Sequence, residues 1–149
     1  MGFELYLQGF GKTEGRGLSR EAIRGLFPVD EASSEPDDWR LRYDGLNSSD
    51  IGVNPLGTDA SKLASLYVDR PCGDLRLWDA LFAILNMGGV VLFFPGGPLI
   101  IAQGRSSAGL PEGMMESLSA PVQVDSGEAI RKIVEAEVAL RENGLESGT

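Results

Sequence analysis

The chain has 149 residues, the size of one domain, with 13 basic and 22 acidic residues and a net charge of −9. A surface of that sign repels phosphate backbones and anionic bilayers, which excludes the usual nucleic-acid and membrane partners and favours a basic protein. There is no histidine and one cysteine, Cys72, which removes Ser-His-Asp and Cys-His nucleophiles, an internal disulfide and nearly every zinc site.

Phe3 to Gln8 places Phe3, Leu5 and Leu7 on one side and predicts a strand, with a glycine-rich loop after it. Ser19 is a helix N-cap with Glu21 in the first turn, Ala22, Ile23, Leu26 and Phe27 line one helical face, and Pro28 ends the helix. Residues 30–38 form a polar acidic loop. Trp39, Leu41 and Tyr43 alternate with Arg40 and Arg42, the pattern of a half-buried strand. Asn47-Ser48-Ser49 reads as a turn, Ile51 to Asn54 as a short strand closed by Pro55 and Gly57, and Leu66 to Asp69 as another. Asp74 caps the strongest helix, in which Leu77, Trp78, Leu81, Phe82 and Leu85 share a face and Gly88-Gly89 is the stop.

Val90 to Phe94 and Leu99 to Ala102 are continuous apolar runs joined by Pro95-Gly96-Gly97-Pro98. Neither half could span a bilayer, and together they predict a hairpin in the middle of a sheet. Residues 104–113 read as loop, 112–118 as a helical turn, and Val122 to Val124 as a brief strand. Asp125 or Ser126 then caps a helix with Ile130, Ile133, Val134 and Val138 as its stripe and Gly144 as its C-cap. The order predicts one α+β domain over residues 1–145, with 146–149 fraying. Its sheet is mixed or mostly antiparallel, of five to seven strands, with three main helices packed on it. No basic segment followed by an apolar stretch opens the chain, and with the lone cysteine this predicts a cytoplasmic protein.

Each motif that suggests chemistry fails on spacing or context. Gly11-Lys12-Thr13 lacks the first glycine of a phosphate loop, where Tyr6 stands, and is separated from the next helix. Gly88-Gly89 and Gly96-Gly97 follow a helix and a strand, the wrong order for dinucleotide binding. Asp44, Asn47 and Asp50 lack the alternating ligands and distal glutamate of a calcium loop. Asp37-Asp38 and Asp30-Glu31 are neighbours in a polar loop, unlike carboxylates facing across a cleft. Cys72 precedes a helix but has no partner base of the common kind. The sequence therefore nominates no catalytic or metal-ligating residue and no cofactor.

What stands out is where the acids lie. Residues 30–69 hold nine acids and three bases, and residues 112–149 hold eight and three. Asp30, Glu31, Glu35, Asp37, Asp38, Asp44 and Asp50 are the candidate partner-binding residues. Trp39 joins them as an aromatic anchor, unless it points into the core. In size, in the acidic stretch Asp30 to Asp38 with Trp39, and in its lack of a catalytic motif, the chain resembles, at class level, the small acidic immunity proteins that bacteria pair with toxins. That resemblance implies a non-enzymatic inhibitor that occludes the active or substrate-binding site of a basic cognate toxin. Two alternatives stay open: a ligand-binding or enzymatic domain without a familiar motif, and a homo-oligomeric structural subunit.

Overall fold

The fold is that of a computed structural model, which describes residues 4–9, 18–44, 48–87, 89–95, 97–104 and 122–147, with backbone alone at 59–60 and 141–147. Among the described residues eight strands make one sheet: β1 Glu4–Gly9, β2 Leu18–Ser19, β3 Asp38–Arg42, β4 Ser48–Leu56, β5 Asp59–Asp69, β6 Val90–Phe93, β7 Ile100–Ala102 and β8 Val122–Val124. Seven lie in the order β3-β4-β5-β1-β6-β7-β8, and β2 pairs with β5. The pairings are antiparallel except β7 with β8, which is parallel. Among the described residues the helices are α1 Arg20–Arg24, α2 Leu75–Leu85 and α3 Gly127–Ser147, with a 3-10 turn at Glu31–Ser33. This is the α+β domain with a mixed sheet that the patterning predicts.

Alternation along the strands divides the sheet into two faces. Leu5 and Leu7, Leu41, Ile51 and Val53, Leu66 and Val68, and Leu92 point to one side, where they share a core with Leu77, Leu81 and Ile84 of α2 and Ile130 and Val134 of α3. The other side carries Glu4, Tyr6, Asp50 and Tyr67 over its β4–β5–β1 part. Over β6 and β7 it carries a second, smaller apolar cluster of Val91, Leu99 and Ile101 with Phe93 against it. β6 and β7 are thus apolar on both faces, which is why their sequence reads as unbroken hydrophobic runs.

The helix starts follow their caps. Ser19 Oγ accepts from the Ala22 amide at 3.2 Å, and Ser126 Oγ accepts from the Ala129 amide at 3.1 Å. Asp74 Oδ1 accepts from the Arg76 amide at 2.9 Å and also from the Arg76 side chain. The Arg76 guanidinium and amide hold the Asp74 carboxyl down at about 2, below its ordinary 3.8. A carboxyl depressed in the folded state stabilises the fold above its ordinary range, and that stabilisation is lost as pH falls from about 4 towards 2. Asp74→Asn keeps a capping oxygen but not the charge. It is expected to melt about 3 °C lower at neutral pH and to converge on the parent protein at pH 2. Melting curves across that window check it, and a constant gap at all pH values would count against the ion pair.

Several boundaries differ from the sequence reading. Ser48 and Ser49 open β4 instead of forming a turn. β4 runs through Pro55 to Leu56, and β5 begins at Asp59, so two short predicted strands are the visible centres of a long hairpin. Pro55 is tolerated because the register shifts on either side of it, a bulge where one ladder amide is not needed. The acidic loop contains the 3-10 turn and bridges back to β3 at Val29 with Leu41 and Glu35 with Asp38. α2 closes on Asn86 before the glycines, and Gly89 turns the chain at positive φ into β6. Gly144 lies inside α3 instead of capping it, because α3 continues to Ser147. The expectations for Phe3, the loop 10–17, residues 105–121 and the last two residues lie outside the described residues. No helix among the described residues is long and apolar enough to cross a membrane.

Candidate functional site

Sheet register assembles a site that no single segment contains. On the outer face Glu4 lies opposite Asp69, and Asp69 lies opposite Asp50, so three carboxylates from β1, β5 and β4 stand side by side. Arg40 of β3 ends the row opposite Asp50, with its Nε 2.6 Å from Asp50 Oδ1. One row along, Asp38, Gly52, Tyr67, Tyr6 and Phe93 face one another across five strands. Tyr6 stacks on Phe93 with ring centroids 5.5 Å apart, and Tyr67 is tilted against Tyr6 at 6.4 Å. The Tyr67 ring covers Gly52, where an added Cβ would fall 2.2 Å from it. The glycine is what lets the ring lie flat.

Directly opposed like charges destabilise a sheet unless something neutralises them. Here the neutralisation is partial. Arg70 reaches Asp50 at 3.6 Å and Asp69 at 3.7 Å with a side chain that is mostly exposed. Glu4 accepts a hydrogen bond from the Tyr6 hydroxyl, which, with some burial, raises the phenol above its ordinary range. Arg70 itself sits at φ 52, a conformation that non-glycine residues rarely adopt. It is held there by buried Ser49, whose Oγ donates to the Arg70 carbonyl at 3.0 Å and accepts from the Cys72 amide at 2.9 Å. The site therefore offers aromatic surface bordered by carboxylates, with its arginines at one end.

The acidic residues nominated from the sequence do not form one patch. Asp30 pairs with Arg42, which holds its carboxyl below the usual range. Glu31 pairs with Arg24 at 2.6 Å, Asp37 with Arg20 at 2.9 Å and Asp44 with Arg76 at 2.6 Å. Glu35 and Asp38 are exposed. Of the set, Asp38 and Asp50 reach the outer sheet face, where Glu4 and Asp69 join them. Trp39 is corrected outright as a surface anchor: it is 1 % exposed and belongs to the core. Its Nε1 donates to the Pro36 carbonyl at 3.0 Å, and the Arg24 guanidinium lies over its ring at 5.8 Å. The alternation that predicts β3 also puts Trp39 on the side of Leu41, facing inward.

At the other end of β3, Arg76 lies over the Tyr43 ring at 5.2 Å. The Tyr43 hydroxyl is buried without a partner among the described residues, and burial pushes its pKa well above the usual phenol range. Cys72 is half-buried beside this group, its carbonyl accepting from Trp78 Nε1 at 2.9 Å. These contacts fasten the β5–α2 connection to the sheet.

No protein-family model, curated protein or solved structure matches the chain.

Proposed function

We propose that this chain is a non-enzymatic binding protein whose outer sheet face docks a basic protein, and that the partner is a toxin it neutralises by occlusion. The observation that carries the reading is the row Glu4, Asp69 and Asp50 beside Tyr6, Tyr67 and Phe93. A lysine or arginine laid across those rings finds cation–π contact along its length and carboxylates at its charged end. The half-buried carboxylates steer a basic partner in, and the rings supply apolar area that resists dissociation. Rigid strands hold every one of these groups, so little ordering cost attends binding. The toxin assignment adds the class-level resemblance in size and acidity to this chemistry.

The test is affinity capture from the source organism at low salt, with mass spectrometry of what stays bound, followed by kinetics on the purified pair. The expected partner is a stoichiometric basic protein that is released by high salt, toxic when expressed alone and rescued by co-expression. The double variant Glu4→Gln/Asp69→Asn is expected to slow association roughly tenfold at low salt. Asp44→Asn, whose carboxylate lies off this face, is expected to leave it unchanged. Equal association rates for the parent and the double variant would sink the sheet-face reading. A captured partner with no toxicity would sink the toxin assignment alone.

A further inference from the structure

Beside α1 lies a concave groove of about 640 Å³. It adjoins a hollow of about 370 Å³ with which it shares Arg20, Arg24 and Glu31. The first volume is in the range that holds a small organic molecule. Phe27 and Val29 give the groove an apolar wall, and Lys62 stands on β5 opposite Ser19. In a protein of net charge −9, a hollow with three cationic side chains runs against the overall sign.

Two features separate this group from ordinary surface ion pairs. The cations sit inward and their carboxylates outward. The Arg20 side chain is 21 % exposed against 54 % for Asp37, and Arg24 is 38 % exposed against 79 % for Glu31. A carboxylate that lies mostly in water gains little from its pairing, so an incoming anion displaces Glu31 at small cost. Cationic capacity is also left over. Arg24 Nε is buried and has no hydrogen-bond partner among the described residues. Lys62 is half-buried with no ion pair among them. Arg20 is occupied by the Pro36 carbonyl at 2.8 Å and by Asp37, and so fixes one end of the wall. The Arg24 guanidinium is held over the Trp39 ring, which limits where its donors point.

We infer that this groove binds a small organic monoanion, a carboxylate attached to an apolar body, with the head group between Lys62 and Arg24 and the body against Phe27 and Val29. Charge count sets the limit of one negative charge. Glu21 and Glu31 also line the groove, so a phosphate dianion meets repulsion that a single carboxylate escapes. The site is separate from the outer sheet face, and its occupancy does not depend on the docking of a protein partner.

The experiment is a proton–nitrogen NMR titration of the full chain with hexanoate, acetate, hexanol and inorganic phosphate. Hexanoate is expected to shift the Trp39 indole resonance and the Lys62 amide saturably in the millimolar range. Acetate lacks the body and hexanol lacks the charge, and each is expected to bind at least about tenfold more weakly. Phosphate is expected to stay weak. Lys62→Met is expected to reduce hexanoate affinity about tenfold with an unchanged melting curve, and Glu4→Gln/Asp69→Asn to leave it unaltered. Equal responses to hexanol and hexanoate, no saturable shift with hexanoate, or undiminished binding in a folded Lys62→Met variant would each overturn the assignment.

Discussion

Trp39→Ala is expected to destabilise the protein by about 3–5 kcal/mol, the range for deleting a large aromatic from a packed core. The indole is 1 % exposed and shares the core with Leu41 and Ile51. Its removal leaves a void beside Ile51 of the paired strand β4 that the hydrogen-bonded ladder keeps from closing. It also frees the Arg24 guanidinium lying over the ring and loses the Nε1 bond to the Pro36 carbonyl. That carbonyl keeps a partner in Arg20, so no acceptor is orphaned and the void dominates the loss. Trp39→Phe keeps most of the volume and is expected to cost about 1–2 kcal/mol. Urea unfolding checks both, with midpoints moving in that order and the slope unchanged. Against a typical total of about 5–15 kcal/mol, that loss is a large fraction of the stability. An alanine variant within about 1 kcal/mol of the parent would place the indole outside the core.

That buried tryptophan shows where sequence reasoning reached and where it stopped. The alternation of Trp39, Leu41 and their neighbours correctly marks β3, and the same alternation fixes which way Trp39 faces. The adjacent acids nonetheless suggest a binding anchor, because aromatic residues beside charges occur both in cores and in interfaces. The helix at Leu75–Leu85 is legible because its apolar positions repeat with the helical period behind a strong cap. β4 and β5 are legible only at their centres. Gly52, Asn54, Pro55, Ser61 and Lys62 are poor strand formers and extend because β3, β1 and β2 pair with the hairpin. Gly144 stays helical because propensity alone does not end a helix.

The candidate site was less legible for a simple geometric reason. Counting charges along the chain groups Asp30 to Asp50 as an acidic block, but their arginines come from α1, from β3 itself and from α2. Much of that block is therefore neutralised by residues that a local window does not see. The carboxylates that do line up, Glu4, Asp69 and Asp50, belong to three strands whose order in the sheet no local pattern reveals. Lys62 and Arg24 are brought together in the same way, since β2 carries α1 across to the bulged end of β5.

Gly127→Val is the second substitution expected to have a large effect. Gly127 is the first residue of α3, and a Cβ built there would lie 2.5 Å from the Asp79 amide nitrogen and 2.5 Å from the Trp78 carbonyl carbon. Those are backbone atoms inside α2, which cannot rotate aside as a side-chain tip would. The new group must lift the start of α3 away from α2, and Ile130 and Val134 lose packing against the core as it rises. The expected loss is about 2–3 kcal/mol for valine and somewhat less for alanine. Gly25 supplies the contrast. It closes α1 at φ −65, a conformation any residue adopts, and an added Cβ would meet nothing nearer than the Glu21 carbonyl at 3.4 Å. Gly25→Ala is expected to be neutral or to stabilise by about 0.5 kcal/mol, because it restricts the unfolded chain. Measured side by side in urea, the two glycines separate a requirement for space from a requirement for backbone freedom. A Gly127 variant that unfolds like Gly25→Ala would mean that α3 does not approach α2 this closely in solution.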